Sequence, residues 1–286
     1  MADAHHAVRR MGFAYNPTSD AAVVLRDRAT GWAEGRDVRH WAAPAADRDA
    51  LRRELPGTDV LVVLGGDGTF LRAARAVIEV DVPLLGINVG KVGFLSKVEA
   101  ADIDTVLDQL VQGRFEIEPR MALEGHILRG GERLDGERLV ALNDVVVARG
   151  SLARVVRLDT SIDEVHFASF VADGLVVASP TGSTGYSFSA GGPILGPTAR
   201  NLVVTPIAGY LTTIRSVVVG PTAVVRTRIV DAHEALVSVD GREDIPLAVG
   251  DVVEVHAIER PVRLIEPEGS MPFWDLVRRK VELLPS

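Results

Sequence analysis

Five apolar residues in a row, Val60-Leu61-Val62-Val63-Leu64, run without a break into Gly65-Gly66-Asp67-Gly68-Thr69. An apolar run without alternation is what a strand buried on both faces requires, and such strands belong to parallel sheets covered by helices. After the glycines, Phe70, Leu71, Ala73, Ala74, Val77 and Ile78 fall at helical spacing. The segment therefore reads strand, glycine turn, helix, and in doubly wound sheets ligands sit at this carboxyl end of the strands. Around it the same alternation recurs: a strand over 8–14, helices over 20–33 and 47–55, a strand over 82–87, and an amphipathic helix over 102–112 stopped by Gly113. An N-terminal doubly wound α/β domain over 1–118 is the expected fold.

Beyond Pro119 the period changes. Short segments rich in β-branched residues, near 121–128, 139–148, 154–160, 163–171, 174–179, 202–205, 223–230, 235–240 and 251–257, are broken by Gly, Pro or Asp. That spacing predicts a mostly antiparallel, sandwich-like β domain over 119–265. Residues 272–284 return to helical spacing, through Phe273, Trp274, Leu276, Val277, Lys280 and Val281. A lone helix cannot bury its apolar face, so 266–286 is expected to dock back on the N-terminal domain. Two domains also suit 286 residues at about 150 residues per domain.

Composition narrows the function. With 31 Lys and Arg against 39 Asp and Glu, a net charge of −8 and no basic block, nucleic acid and anionic membrane are poor partners. The absence of cysteine excludes disulfides, zinc-thiolate sites and thiol catalysis, and suits a reducing cytoplasm. No apolar run approaches the ~18 to 20 residues of a bilayer span, so a cytoplasmic, soluble protein is expected. Seven histidines show no helical His-x₃-His spacing, so no fixed metal site is expected either.

The 65–69 turn carries the sharpest chemistry. Its glycines bring backbone N–H groups close to a phosphate, and the following helix offers its positive end to the same anion. Asp67 then looks contradictory, since a carboxylate ~4 Å from a phosphate charge costs about 4 kcal/mol at an effective dielectric near 20. Phosphoryl transfer resolves this: Mg²⁺ bridges the phosphates while an Asp accepts a hydrogen bond from the attacking hydroxyl. The bland alternative is a tight turn in which Asp67 caps the helix. Neither a Walker A sequence nor a GxGxxG fingerprint is present.

Five segments in order, GGDGTFLRAAR at 65–75, GINVGKVGFLS at 86–96, EPRMAL at 118–123, ALNDVVV at 141–147 and ADGLVVASPTGSTGYSFSAGGPIL at 172–195, together resemble the NAD kinase family. GGDGT alone is shared with diacylglycerol and sphingosine kinases. The resemblance implies transfer of a phosphoryl group from ATP, or inorganic polyphosphate, to the 2′-hydroxyl of the adenosine ribose of NAD, giving NADP. It implies Asp67 as the catalytic carboxylate, Gly66 and Gly68 at the phosphates, and Arg72 as a basic phosphate contact. Asn143 and Asp144 match the pair on the ribose and adenine side. Arg154 is grouped with the binding residues, its alternative being an internal ion pair with Asp144. Asp173 is implied near the nicotinamide, and Thr184, Gly185, Tyr186, Ser187, Phe188 and Ser189 around a ribose and a base.

Two positions depart from the family pattern. Gly185 stands where Ala is usual, and Gly209-Tyr210 follows Ile207-Ala208 where Pro-His is usual. Ala208 is still carried over to the dinucleotide site. The resemblance further implies Mg²⁺ or another divalent cation arriving with the nucleotide, and a homo-oligomer, dimer or tetramer. Neighbours in a strand point to opposite faces, so Asn143 and Asp144 can share a ligand only at a strand end or bulge. The competing readings are a lipid kinase sharing GGDGT, disfavoured by the acidic charge, and a dinucleotide sensor without turnover.

Overall fold

The computed structural model describes residues 8–90, 93–134, 138–151, 154–210, 213–242 and 244–282. The chain divides into two compact units, Met1–Pro119 with Val262–Ser286, and Arg120–Pro261.

The first unit is a largely parallel sheet flanked by helices. Its strands are β1 (Arg10–Tyr15), β2 (Arg39–Pro44), β3 (Val60–Leu64), β4 (Leu84–Asn88), β5 (Val98–Glu99) and β6 (Phe115–Arg120), joined late in the chain by β20 (Val262–Pro267). The order is β2-β1-β3-β4-β20-β6, with β5 also on β4. Every residue of β3 and β4 is buried, as their unbroken apolar character requires. The helices are α1 (Asp20–Glu34), α2 (Arg48–Glu54), α3 (Asp67–Val80), α4 (Ile103–Val111) and α6 (Phe273–Glu282). Ser19 and Asp47 cap α1 and α2 by accepting from Ala22 and Ala50 N–H groups. A core built from Met11, Phe13, Val62, Leu64, Leu85, Ile87, Leu107 and Ile265 lies between sheet and helices.

Sequence periodicity missed four strands of this sheet, the two-residue β5 among them. Arg39–Pro44, at an edge, is only half-buried and ends in proline. Phe115–Arg120 alternates charges and lacks an apolar run. Val262–Pro267 pairs in parallel with β4 through Leu264 and Leu84. The chain therefore rejoins the first unit at Val262, earlier than the 266 expected.

The second unit is a sandwich. One sheet runs β15 (Val217–Val219), β14 (Leu202–Ile207), β13 (Gly174–Ala178), β10 (Asp144–Arg149), β17 (Ala235–Val239), β18 (Ile245–Leu247). The other runs β12 (Val165–Ala172), β11 (Val156–Ile162), β16 (Val225–Asp231), β19 (Val252–Ala257), β7 (Leu123–Arg129), β8 (Glu132–Arg133), with β9 (Leu139–Ala141) also on β7. Inward residues of both sheets, among them Leu123, Val145, Leu158, Phe170, Val177, Val204, Val237 and Val253, form one core. The single strand expected over 139–148 is two strands in different sheets, and the chain crosses between them at Leu142-Asn143.

Candidate functional site

In the first unit Asp67 is the first residue of α3, immediately after β3 and the paired glycines. The helix takes Gly66 as its N-cap with no side-chain cap bond, so Asp67 does not serve as the cap that the bland alternative required. Its carboxylate reaches instead to the segment after β4. Oδ2 accepts the Phe94 N–H at 2.9 Å, and Oδ1 accepts those of Leu95 and Ser96 at 3.1 and 3.3 Å. A carboxylate has about four acceptor positions; among the described residues three are taken, leaving one on Oδ2. Among the described residues nothing lies within 4 Å of where side chains on Gly66 or Gly68 would start, which leaves space above the turn. The Thr69 N–H bonds back to the Gly66 carbonyl at 2.9 Å, while a helix leaves the N–H groups before it without intrahelical partners, and its positive end faces the same space. Arg72, one turn further along, is exposed.

The second unit holds the Asn143-Asp144 pair at the sheet crossing. Asp144 opens β10, and Asn143 precedes it in the bend, so the pair stands at a strand end. The crossing is pinned by Asp240, whose carboxylate accepts the backbone N–H groups of Leu142, Asn143 and Asp144 at 3.0, 2.7 and 3.2 Å. Asp240 sits with Gly241 in a turn after β17, both at positive φ of 51° and 65°, closed by the Arg242 N–H on the Val239 carbonyl. That is the turn geometry in which Asp-Gly is favoured. Two buried carboxyl groups thus face one another: burial, then the charge of Asp240, pushes Asp144 up to about 7. Burial also raises Asp240, against the opposing pull of its three N–H donors and of Arg242. Arg154 is exposed, and among the described residues it forms no ion pair with Asp144.

The 179–189 stretch is more ordered than a loop. A 3₁₀ turn over Gly182–Thr184 leads into a single turn of helix, α5 (Tyr186–Ser189). Gly182 is packed so tightly that a Cβ would lie 2.1 Å from the Asn143 carbonyl oxygen, which couples this turn to the sheet crossing. Most of its hydroxyls are spent internally. Ser183 Oγ donates to the Pro180 carbonyl and accepts from Leu195 N–H. Thr184 Oγ1 donates to the Thr181 carbonyl, and buried Ser187 shares a bond with Thr205. Tyr186 and Phe188 are 46% and 43% exposed, with Ser189 exposed beside them, so two rings and a hydroxyl remain for a ligand. Gly185 lies near Asn143 Nδ2 and Asp144 Oδ2, each 3.9 Å from where its Cβ would be.

Asp173 is engaged by Arg149, at 2.7 Å from Nε to Oδ1 and 3.2 Å from Nη2 to Oδ2. Ala208 holds a φ of 46°, left-handed backbone that an alanine adopts at a cost of about 1 kcal/mol or more. The departing residue Tyr210 is 65% exposed and its N–H donates to the Val171 carbonyl at 2.7 Å.

Two groups escaped the sequence reading. Arg120 is 2% exposed and donates to Thr181 Oγ1 at 3.2 Å, supporting the polar turn from beneath. Asp240 carried only the Asp-Gly turn signal.

Family models for the ATP-NAD kinase N-terminal and C-terminal domains match residues 11–115 and 142–267. The chain belongs to the NAD kinase family. It is a phosphotransferase that phosphorylates NAD. An NAD kinase of Symbiobacterium thermophilum is 40% identical over 264 residues, covering 92% of this chain and 89% of its own. One from Syntrophotalea carbinolica is 36% identical over 271 residues, covering 92% and 94%. Among solved structures, yeast NADH kinase complexed with NADH superposes with a TM-score of 0.80 at 25% identity, over 98% of this chain and 88% of that one. An Archaeoglobus fulgidus NAD kinase in complex with ATP shares the fold, with a TM-score of 0.75 over 96% of this chain and 100% of that one, at 24% identity. In this kinase no helix among the described residues is long and apolar enough to cross a membrane.

Proposed function

We propose that Asp67 orients the 2′-hydroxyl of the adenosine ribose of NAD and takes its proton as the hydroxyl oxygen attacks the terminal phosphorus of ATP. The ribose O–P bond forms, the bond from that phosphorus to the ADP oxygen breaks, and the proton passes to Asp67 and on to solvent. The observation that carries this reading is the acceptor position left on Oδ2, among the described residues, of a carboxylate otherwise held by three amides. Because the phosphoryl transition state is loose, the hydroxyl proton leaves late and a carboxylate suffices as its acceptor. Positioning and charge stabilisation then supply most of the acceleration, and Asp67 about 10² to 10⁴-fold.

The open space above Gly66 and Gly68 suits a phosphate chain. Since the free position on Asp67 is reserved for the hydroxyl, Mg²⁺ or a similar divalent cation would be held by phosphate oxygens and water rather than by a cage of side chains. When bound, such an ion neutralises the charge that would otherwise set Asp67 against the phosphates. Asn143, Asp144, the exposed Tyr186, Phe188 and Ser189, and the strained Ala208 are assigned to the dinucleotide, with Asp173 on the nicotinamide side. Yeast NADH kinase with NADH and the archaeal NAD kinase with ATP support a dinucleotide acceptor and a nucleotide donor here. Polyphosphate presents the same repeating charge and is assigned as an alternative donor. A homo-oligomer in the cytoplasm is the assembly we assign.

The test is Asp67→Asn. NADP formation from ATP, and separately from polyphosphate, should fall by at least about 10²-fold, while calorimetric NAD binding stays near that of the parent. Loss of binding together with turnover would refute the role.

A further inference from the structure

On the outer face of the second unit, strands β7 and β19 pair antiparallel with His256 opposite Glu124 and Glu254 opposite His126. Directly opposed residues share a face, as do residues two apart on one strand. Glu124, His126 and His256 therefore stand together, while Leu123, Val253 and Val255 of the same strands point into the core. The ligand atoms of the three side chains lie within 4.8 Å of one another. His126 Nε2 is 3.2 Å from Glu124 Oε1, and the two imidazole rings are 6.0 Å apart between centroids.

We propose that Glu124, His126 and His256 form a divalent-metal site suited to Zn²⁺, separate from the nucleotide chemistry. Two imidazole nitrogens and one carboxylate oxygen are a donor set that this ion takes readily, with bonds of about 2.0–2.2 Å. Tetrahedral bonds of that length separate ligand atoms by about 3.3 Å. The His126–Glu124 pair already stands at that spacing, and rotation of His256 would complete the set, leaving a fourth position for water.

The surroundings are those that orient metal ligands. His256 Nδ1 lies 3.1 Å from the Ala257 carbonyl, a contact that requires the proton on Nδ1 and leaves the Nε2 lone pair free. Arg138 donates to both oxygens of Glu124, at 2.7 and 2.6 Å, which fixes the carboxylate while leaving each oxygen a second lone pair. Glu254, opposite His126, is held by Arg226 at 2.7 Å. Sequence spacing could not show this arrangement. Glu124 and His256 are brought together by strand register alone.

The experiment uses the full chain, stripped with chelator and kept free of nucleotide and Mg²⁺, titrated with Zn²⁺ by calorimetry. One ion should bind saturably, and His256→Ala and Glu124→Gln should each weaken binding by at least about tenfold. A variant with His5 and His6 both replaced by Ala should bind as the parent does. Co²⁺ loaded on the parent should give the intense visible bands of a four-coordinate centre, a readout independent of whether any variant folds. No saturable binding, binding indifferent to His256→Ala and Glu124→Gln in folded protein, or a six-coordinate Co²⁺ spectrum would each overturn the site.

Discussion

The backbone of Gly93 lies against the carboxylate of Asp67, so close that a Cβ on Gly93 would fall 1.9 Å from Oδ1. The three amides that hold Asp67 follow directly in the chain, at Phe94, Leu95 and Ser96. Gly93→Ala must therefore displace either the carboxylate or its amide cradle. Turnover should drop by at least about 10²-fold, as misplacement by 1 Å does, while stability falls by only about 1–3 kcal/mol as for other overpacking changes. NADP formation and urea unfolding measured together check this; full activity in Gly93→Ala would mean the cradle is not needed.

The facing carboxyls of Asp144 and Asp240 make stability depend on pH. Asp144 is raised from 3.8 to about 7 in the folded protein. Its protonated form contributes stability that is fully present below about pH 4 and is lost as pH rises through about 7. The stake is on the order of 4 kcal/mol at full ionisation, shared with Asp240 because the two titrate as a pair. Asp144→Asn keeps the shape without the charge, so its thermal midpoint should exceed that of the parent at pH 8.5 and approach it at pH 5. Parallel melting curves for the two proteins across that range would contradict the pairing.

Within the polar turn, hydroxyls divide between structure and ligand. Ser183 is fully buried and bonds both the Pro180 carbonyl and the Leu195 N–H. Removing it in Ser183→Ala leaves those groups unpaired, at about 1–3 kcal/mol. Ser189 is exposed. Ser189→Ala should leave the melting temperature unchanged and raise KM for NAD. Equal effects on melting temperature would show the division to be wrong.

Lys97 binds the chain's return strand to the first unit. Its side chain is 8% exposed, with the ammonium 2.6 Å from Glu266 and 4.0 Å from Glu118. Truncation removes the cation that both carboxylates share, so Lys97→Ala should lose about 3 kcal/mol in denaturant unfolding. Replacing Glu266 by Gln in that background should restore part of the loss, and a further loss would rule out this account.

How much of this was legible in the sequence differs from element to element. The β3 strand and its glycine turn could be read because burial on both faces leaves an unbroken apolar run, and a Cβ on Gly65 would meet Thr69 at 2.6 Å. Period-2 geometry required a strand end or bulge if Asn143 and Asp144 were to share a ligand, but it did not show the break at Leu142-Asn143 where the chain changes sheet. Strands at Arg39–Pro44 and Phe115–Arg120 were silent because they bury little apolar surface.

Sequence alone determined the two kinds of fold, the position of Asp67 after β3 and the membership of the NAD kinase family, since all three rest on local period and contiguous motifs. Only the tertiary structure decided which amides hold Asp67, that Asp240 pins the sheet crossing beside Asp144, that most hydroxyls of 181–187 face inward, and that Glu124 meets His256. Apart from the local bonds of Ser183 and Thr184, each of these joins residues far apart in the chain. Hydrogen bonding and register between distant strands are fixed by packing of the whole unit, and no local pattern of residue types encodes them.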